Sequence, residues 1–171
     1  MTQHCRRPTA RRAFTMVEAM AAVAIVAVLL VVALNTVGLS NANQYRTAQR
    51  ATADALAQSL LQDILQLSYE DPATVPLFGP EILNNETSLS KTNYNDVDDF
   101  NGWSESPPQD RTGTTMSELT GWTRSVRVDF VSPTNPNSLS ATDAGLKRIT
   151  VTVSKNNVLL ATRVALKGRH L

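Results

Sequence analysis

Sixteen consecutive residues, Ala19 to Leu34, are apolar without exception, and the apolar character continues past Asn35 and Thr36 to Leu39. Few folds can accept such a run. Counted from Phe14, the stretch to Leu39 is 26 residues, which as a helix rising ~1.5 Å per residue exceeds the ~30 Å hydrocarbon core of a bilayer. The sequence therefore predicts a membrane-crossing helix. Glu18 breaks the pattern one turn into it. A carboxylate inside a spanning helix costs on the order of 3 kcal/mol unless it is paired, so Glu18 reads as functional. Its natural partner is a positive charge at the start of a neighbouring copy of the same helix.

The segment before the run is basic, with Arg6, Arg7, Arg11 and Arg12 and no acid among residues 1–13. Arg11-Arg12-Ala13-Phe14-Thr15-Met16-Val17-Glu18, followed by the apolar run, resembles the leader and first helix of type IV pilins and type II secretion pseudopilins. The resemblance is strong over residues 6–67 and rests on overall architecture beyond. It implies that a prepilin peptidase cuts between Ala13 and Phe14 and methylates the new Phe14 amine. It also implies that Glu18, at the fifth mature position, neutralises that amine on the adjacent subunit during filament assembly. Ala13 stands where the family usually has Gly and is its nearest steric substitute. Other implied partners are sister pilin or pseudopilin subunits, an inner-membrane assembly platform and membrane lipid. The implied location is the bacterial inner membrane, single-pass with the C-terminal domain outside the cytoplasm, and then the filament.

Charge and cysteine usage agree with that orientation. The formal net charge is +1. Removing residues 1–13 leaves 12 basic and 15 acidic residues, a mildly acidic product without a basic patch for nucleic acid. The leader arginines fit the positive-inside rule. The single cysteine, Cys5, lies in the leader, so no disulfide can staple the mature chain. A competing reading is a removable signal peptide cut near Ser40-Asn41-Ala42, giving a soluble product starting near Asn43. The apolar run is long for an h-region of about 7–15 residues, and that reading leaves Glu18 unexplained.

The expected fold class is α+β, a long helix packed on a small antiparallel sheet. Residues 14–39 form the transmembrane and assembly half of the helix, and residues 40–71 an amphipathic half. Asn41 to Leu67 has no Gly or Pro and is rich in Ala, Leu, Gln and Arg, so the helix is expected to run to Leu67 and end before Pro72. Asn35, Thr36 and Gly38 mark a softer joint within it. Ala48, Ala51, Ala55, Leu56, Leu60, Ile64 and Leu67 give a stripe at three- and four-residue steps. Tyr45, Arg46 and Arg50 read as an interfacial anchor. Residues 72–121, with five prolines, read as a variable loop region pinned by Ile82-Leu83, Tyr94, Phe100 and Trp103. Residues 122–171 alternate. Trp122, Val126, Val128 and Phe130 share one face of Trp122–Ser132, and Ile149, Val151 and Val153 share one of Leu146–Ser154. Val158, Leu160, Val164 and Leu166 share a third after the turn at Lys155–Asn157. Three antiparallel strands are expected.

Catalysis has little to work with. Beyond the leader the only histidine is His170, so Cys–His nucleophiles and His-based zinc sites cannot be assembled. No cofactor is expected, with calcium as the one candidate. Its ligands would be Asp96, Asp98, Asp99 and Asn101, oxygen donors just before Gly102. EF-hand register fails there, since Gly102 at the sixth position puts Val97 first and Pro108 twelfth. The competing reading is a solvated acidic turn over Phe100 and Trp103. The function expected is a non-enzymatic structural subunit of a type IV pilus or type II secretion pseudopilus, of the minor, initiating or tip class. A major pilin, or a single-pass anchored binding module that does not polymerise, are the alternatives.

Overall fold

The computed structural model describes residues 15–71, 77–81, 86 and 90–169. Ala13, Phe14, Ile82 and Leu83 lie outside the described residues. One helix, α1, runs Met16–Leu65 without interruption, through Asn35, Thr36 and Gly38. Five strands follow: β1 Ser104–Glu105, β2 Trp122–Ser132, β3 Asn135–Leu139, β4 Leu146–Lys155 and β5 Val158–Gly168. All pairings are antiparallel, in the order β1-β2-β4-β5 with β3 folded back on β2. The arrangement is α+β, a helix packed on a sheet. The chain divides into two units, Met1–Arg46 and Thr47–Leu171.

In the first unit every described side chain is exposed, and the helix is long and apolar enough to cross a membrane. Thr36 caps its own hydroxyl by donating to the Val32 carbonyl at 2.8 Å, so that polar group is satisfied inside the helix.

The second unit has a contiguous core. Ala53, Ala57, Leu60, Leu61 and Ile64 of α1 meet Trp122, Val126 and Val128 of β2 and Ile149, Val151 and Val153 of β4. Of the expected stripe, Leu60 and Ile64 are buried and Leu56 and Leu67 pack against the core. Ala48, Ala51 and Ala55 are exposed, and the face is rotated onto Ala53 and Ala57. Alanines at 51, 53, 55 and 57 make the 3.6-residue phase ambiguous, and the sheet settles it.

Residues 90–121 are pinned as expected by Tyr94, Phe100 and Trp103. Tyr94, Val97, Phe100 and Trp103 all enter the core. Tyr94 meets Phe100 edge-on at 4.9 Å between centroids and Trp103 at 5.6 Å, contacts each worth about 1 kcal/mol beyond burial. Short 3-10 turns at Lys91–Asn93, Asp98–Phe100 and Ser117–Leu119, with β1, carry the chain across the helix–sheet layer.

The β4–β5 hairpin turns at Asn156 and Asn157, with φ of 49° and 64°. Positive φ at both central residues suits the right-handed twist of the flanking strands, and asparagine tolerates it. Gly121 is required beside it. Its φ is +80°, and a Cβ there would lie 2.5 Å from Asn156 Oδ1.

Two differences from the sequence expectation have local causes. The sheet has five strands because β1 is only two residues long and β3 contains Pro136, so neither shows a strand pattern. On β5, Val164 and Leu166 face outward. The register slips between Val153 and Ser154: Val153 opposes Ala161 while Ser154 opposes Leu159, leaving Leu160 as an extra residue. Beyond that bulge Ala161 and Ala165 turn toward the core, and the expected apolar set is reversed.

Candidate functional site

The first turn of α1 is built by Thr15. Its carbonyl accepts from the backbone N–H of Glu18 and Ala19, both at 3.1 Å, and its hydroxyl accepts from Glu18 N at 3.3 Å. Thr15 is the N-cap, and Thr15-Met16-Val17-Glu18 has the Ser/Thr-x-x-Glu spacing of a capping box. A carboxylate at this position also complements the positive helix terminus. Glu18 itself is exposed, and no cation pairs with it among the described residues. Around it Met16, Val17 and Met20 are exposed, as are the apolar side chains on to Leu39.

Three groups of buried charge lie in the second unit. The first centres on Glu105 of β1. Arg124 Nε donates to Glu105 Oε1 at 2.5 Å, and Lys91 Nζ donates to Oε2 at 3.2 Å. Both bases also donate to the Gln109 carbonyl, and Arg124 Nη1 reaches the Leu56 carbonyl of α1 at 3.3 Å. Burial holds Lys91 below the usual lysine range, against the attraction of Glu105. Sequence reading passed over Arg124, although its parity with Trp122, Val126 and Val128 already assigned it to the inner face.

The second group joins β4 to the 3-10 turn at Asp98–Phe100. Lys147 Nζ donates to Asp98 Oδ1 and to the Tyr69 carbonyl, and lies 4.3 Å from the centroid of the Tyr69 ring. Asp98 Oδ2 accepts from Gly79 N at 3.2 Å. Burial, reinforced by the hydrogen bond and charge of Asp143, pushes the Tyr69 hydroxyl above the ordinary tyrosine range.

The third group contains acids alone. Glu81, Glu86 and Asp99 are 7%, 0% and 1% exposed, and one carboxylate oxygen from each lies within 4.8 Å of the others. Asp99 Oδ2 accepts from Asn95 N at 2.9 Å and Asp96 N at 3.1 Å. Glu86 accepts from Glu81 N at 3.0 Å and from Asn95 Nδ2 at 2.6 Å, while Glu86 N donates back to the Glu81 carbonyl. Among the described residues, Glu81 Oε1 and Oε2, Asp99 Oδ1 and Asn95 Oδ1 are buried without a hydrogen-bond partner. Burial, the adjoining Glu86 carboxyl and the charge of Asp99 push Glu81 up to about 7. Burial likewise raises Asp99 to about 6, against the two backbone amides that stabilise its charge. Asp96 is raised to about 8 by burial and by the charges of Asp98 and Asp99.

The acidic stretch is therefore not a solvated turn, since Asp96, Asp98 and Asp99 are all buried. Nor do the four residues read as oxygen ligands turn toward one centre. Asp96 Oδ1 accepts from the N–H of Asp98 and Asp99, Asp98 is held by Lys147, and Asn101 Oδ1 accepts from Val128 N on β2. Of the four, only Asp99 belongs to the three-carboxylate group, and its companions Glu81 and Glu86 come from a stretch whose spacing carries no metal motif.

Comparison with known proteins bears on the N-terminal segment. The family described as prokaryotic N-terminal methylation motif matches residues 8–34, which take in Arg11 and Arg12, the Thr15 cap, Glu18 and the apolar run. No curated protein and no solved structure matches the chain.

Proposed function

We propose that this chain, which carries the N-terminal methylation motif of the type IV pilin and pseudopilin family, is a minor subunit of a pilus or pseudopilus. The matched motif at residues 8–34 carries the reading, because it is continuous with a helix whose apolar surface is exposed on all sides. A prepilin peptidase cuts between Ala13 and Phe14 and methylates the Phe14 amine. Before assembly the apolar half of α1 sits in the bacterial inner membrane, with the second unit outside the cytoplasm. On extraction by an assembly platform it packs among sister helices.

Glu18 supplies the register. An unpaired carboxylate in hydrocarbon is costly, and the new amine of a neighbouring copy is the complementary charge at the matching depth. The Thr15 cap fixes the backbone of that first turn, so the carboxylate is presented from an ordered helix end. The role is structural rather than catalytic.

The test is the intact mass and first residue of the protein recovered from membranes of its native host. The expected product begins at methylated Phe14. A product beginning near Asn43 would have lost the apolar half of α1 and would overturn the reading.

A further inference from the structure

The all-acid group in the second unit is unlike the other buried charges of the molecule. Lys91, Arg124 and Lys147 each answer a carboxylate, whereas no lysine or arginine pairs with Glu81, Glu86 or Asp99 among the described residues. A second observation is independent of that proximity. Five buried side-chain polar atoms lack a partner among the described residues, and four of them belong to Glu81, Asp99 and the adjoining Asn95. Unsatisfied buried polar atoms are rare, and their concentration at one point indicates a missing partner there.

We propose that Glu81, Glu86 and Asp99 bind a divalent cation of the calcium class. The donors are all oxygens, with no histidine or cysteine, which selects a hard cation over zinc or copper. Calcium takes its ligands at about 2.3–2.6 Å, so oxygens on opposite sides of the ion stand ~4.8 Å apart. The three carboxylate oxygens fall within that span. The surrounding hydrogen bonds already orient the ligands. Two backbone amides hold Asp99 Oδ2 and leave Oδ1 available, Glu86 is held by Glu81 N and Asn95 Nδ2, and both Glu81 oxygens are available for bidentate contact. Outer-shell hydrogen bonds of this kind raise affinity by fixing ligand geometry. The bound ion would clamp the Gly79–Glu81 stretch to the turn at Asp96–Asp99, which Gly79 N already touches through Asp98. The site does not depend on filament assembly, so its test is separate from that of the proposed function.

The experiment uses the full chain in detergent micelles, freed of metal with EDTA and titrated calorimetrically with CaCl₂ alone, then with MgCl₂ alone. The expected result is one Ca²⁺ per chain, weaker Mg²⁺ binding, and an unfolding temperature raised by several degrees in calcium. Glu81→Gln and, separately, Asp99→Asn should each weaken Ca²⁺ binding on the order of 100-fold, more than an outer-shell change would. Asp129→Asn, outside the cluster, should bind as the parent does. Circular dichroism in EDTA verifies that each variant is folded, and either ligand variant suffices if the other is not. No heat and no thermal shift at about 10 mM Ca²⁺, beyond the ~10⁻³ M of the weakest extracellular sites, would overturn the proposal. So would unchanged affinity in both ligand variants. A parent indifferent to calcium but destabilised by Glu81→Gln would assign the group to a proton shared between Glu81 and Glu86 instead.

Discussion

Around Glu105 one carboxylate lies between two bases, and both bases find the Gln109 carbonyl as well. Around Glu81 three carboxylates converge, and among the described residues no base joins them. Both groups are buried in the same unit, so the same desolvation cost applies to each. The Glu105 group meets that cost with partners the chain supplies, tying α1, β1, β2 and the Lys91 turn together through one set of charge-assisted bonds. The Glu81 group is the kind of arrangement a chain keeps when something outside it completes the charge. Glu18 makes a third case, a carboxylate for which we propose a complement on another copy.

That contrast can be broken most forcefully at its closed end. Glu105→Gln leaves Lys91 and Arg124 buried without a counter-charge, and is expected to cost about 3–5 kcal/mol in denaturant unfolding of the full chain in micelles. Next in size is Glu18→Ala. Removing the carboxylate should ease membrane insertion by about 3 kcal/mol while abolishing incorporation into filaments, read by co-sedimentation with sheared fibres. Thr15→Ala removes the cap and should cost about 1 kcal/mol of first-turn stability, seen as faster amide exchange at Glu18. Smallest of all, Glu81→Gln measured in EDTA should change stability by no more than about 0.5 kcal/mol, because it relieves repulsion rather than breaking a pair. A loss there as large as that of Glu105→Gln would erase the distinction between the two groups.

Much of this was legible in the residues themselves. The apolar run, Glu18 and the basic leader fix the N-terminal half, and the alternation in β2 and β4 fixes the sheet that covers α1. Asn156-Asn157 marks the hairpin turn because two adjacent asparagines tolerate the positive φ it needs. The rest depended on pairing that no local pattern reveals. β1 is a strand only because Ser104 and Glu105 lie opposite Ser125 and Arg124. Arg124 is buried because Glu105 waits for it, and a lone arginine in an alternating strand gives no sign of that beyond its parity. The acids that converge on Asp99 are 13 and 18 positions upstream, where sequence spacing carries no information about a shared centre.

The bulge in β5 has a genetic consequence. Because side chains alternate along a strand, the extra residue at Leu160 acts as a parity bit. It decides whether Val164 and Leu166 or Ala165 and Lys167 look outward. No single substitution can reverse that choice, but deleting one codon beyond the bulge, at Thr162, would. Deleting Leu160 itself removes the bulge and leaves Ala161 opposite Val153. The outer chemistry of this edge strand can therefore be rewritten wholesale by an insertion or deletion of one residue, with the Asn156-Asn157 turn and every other strand left as they are.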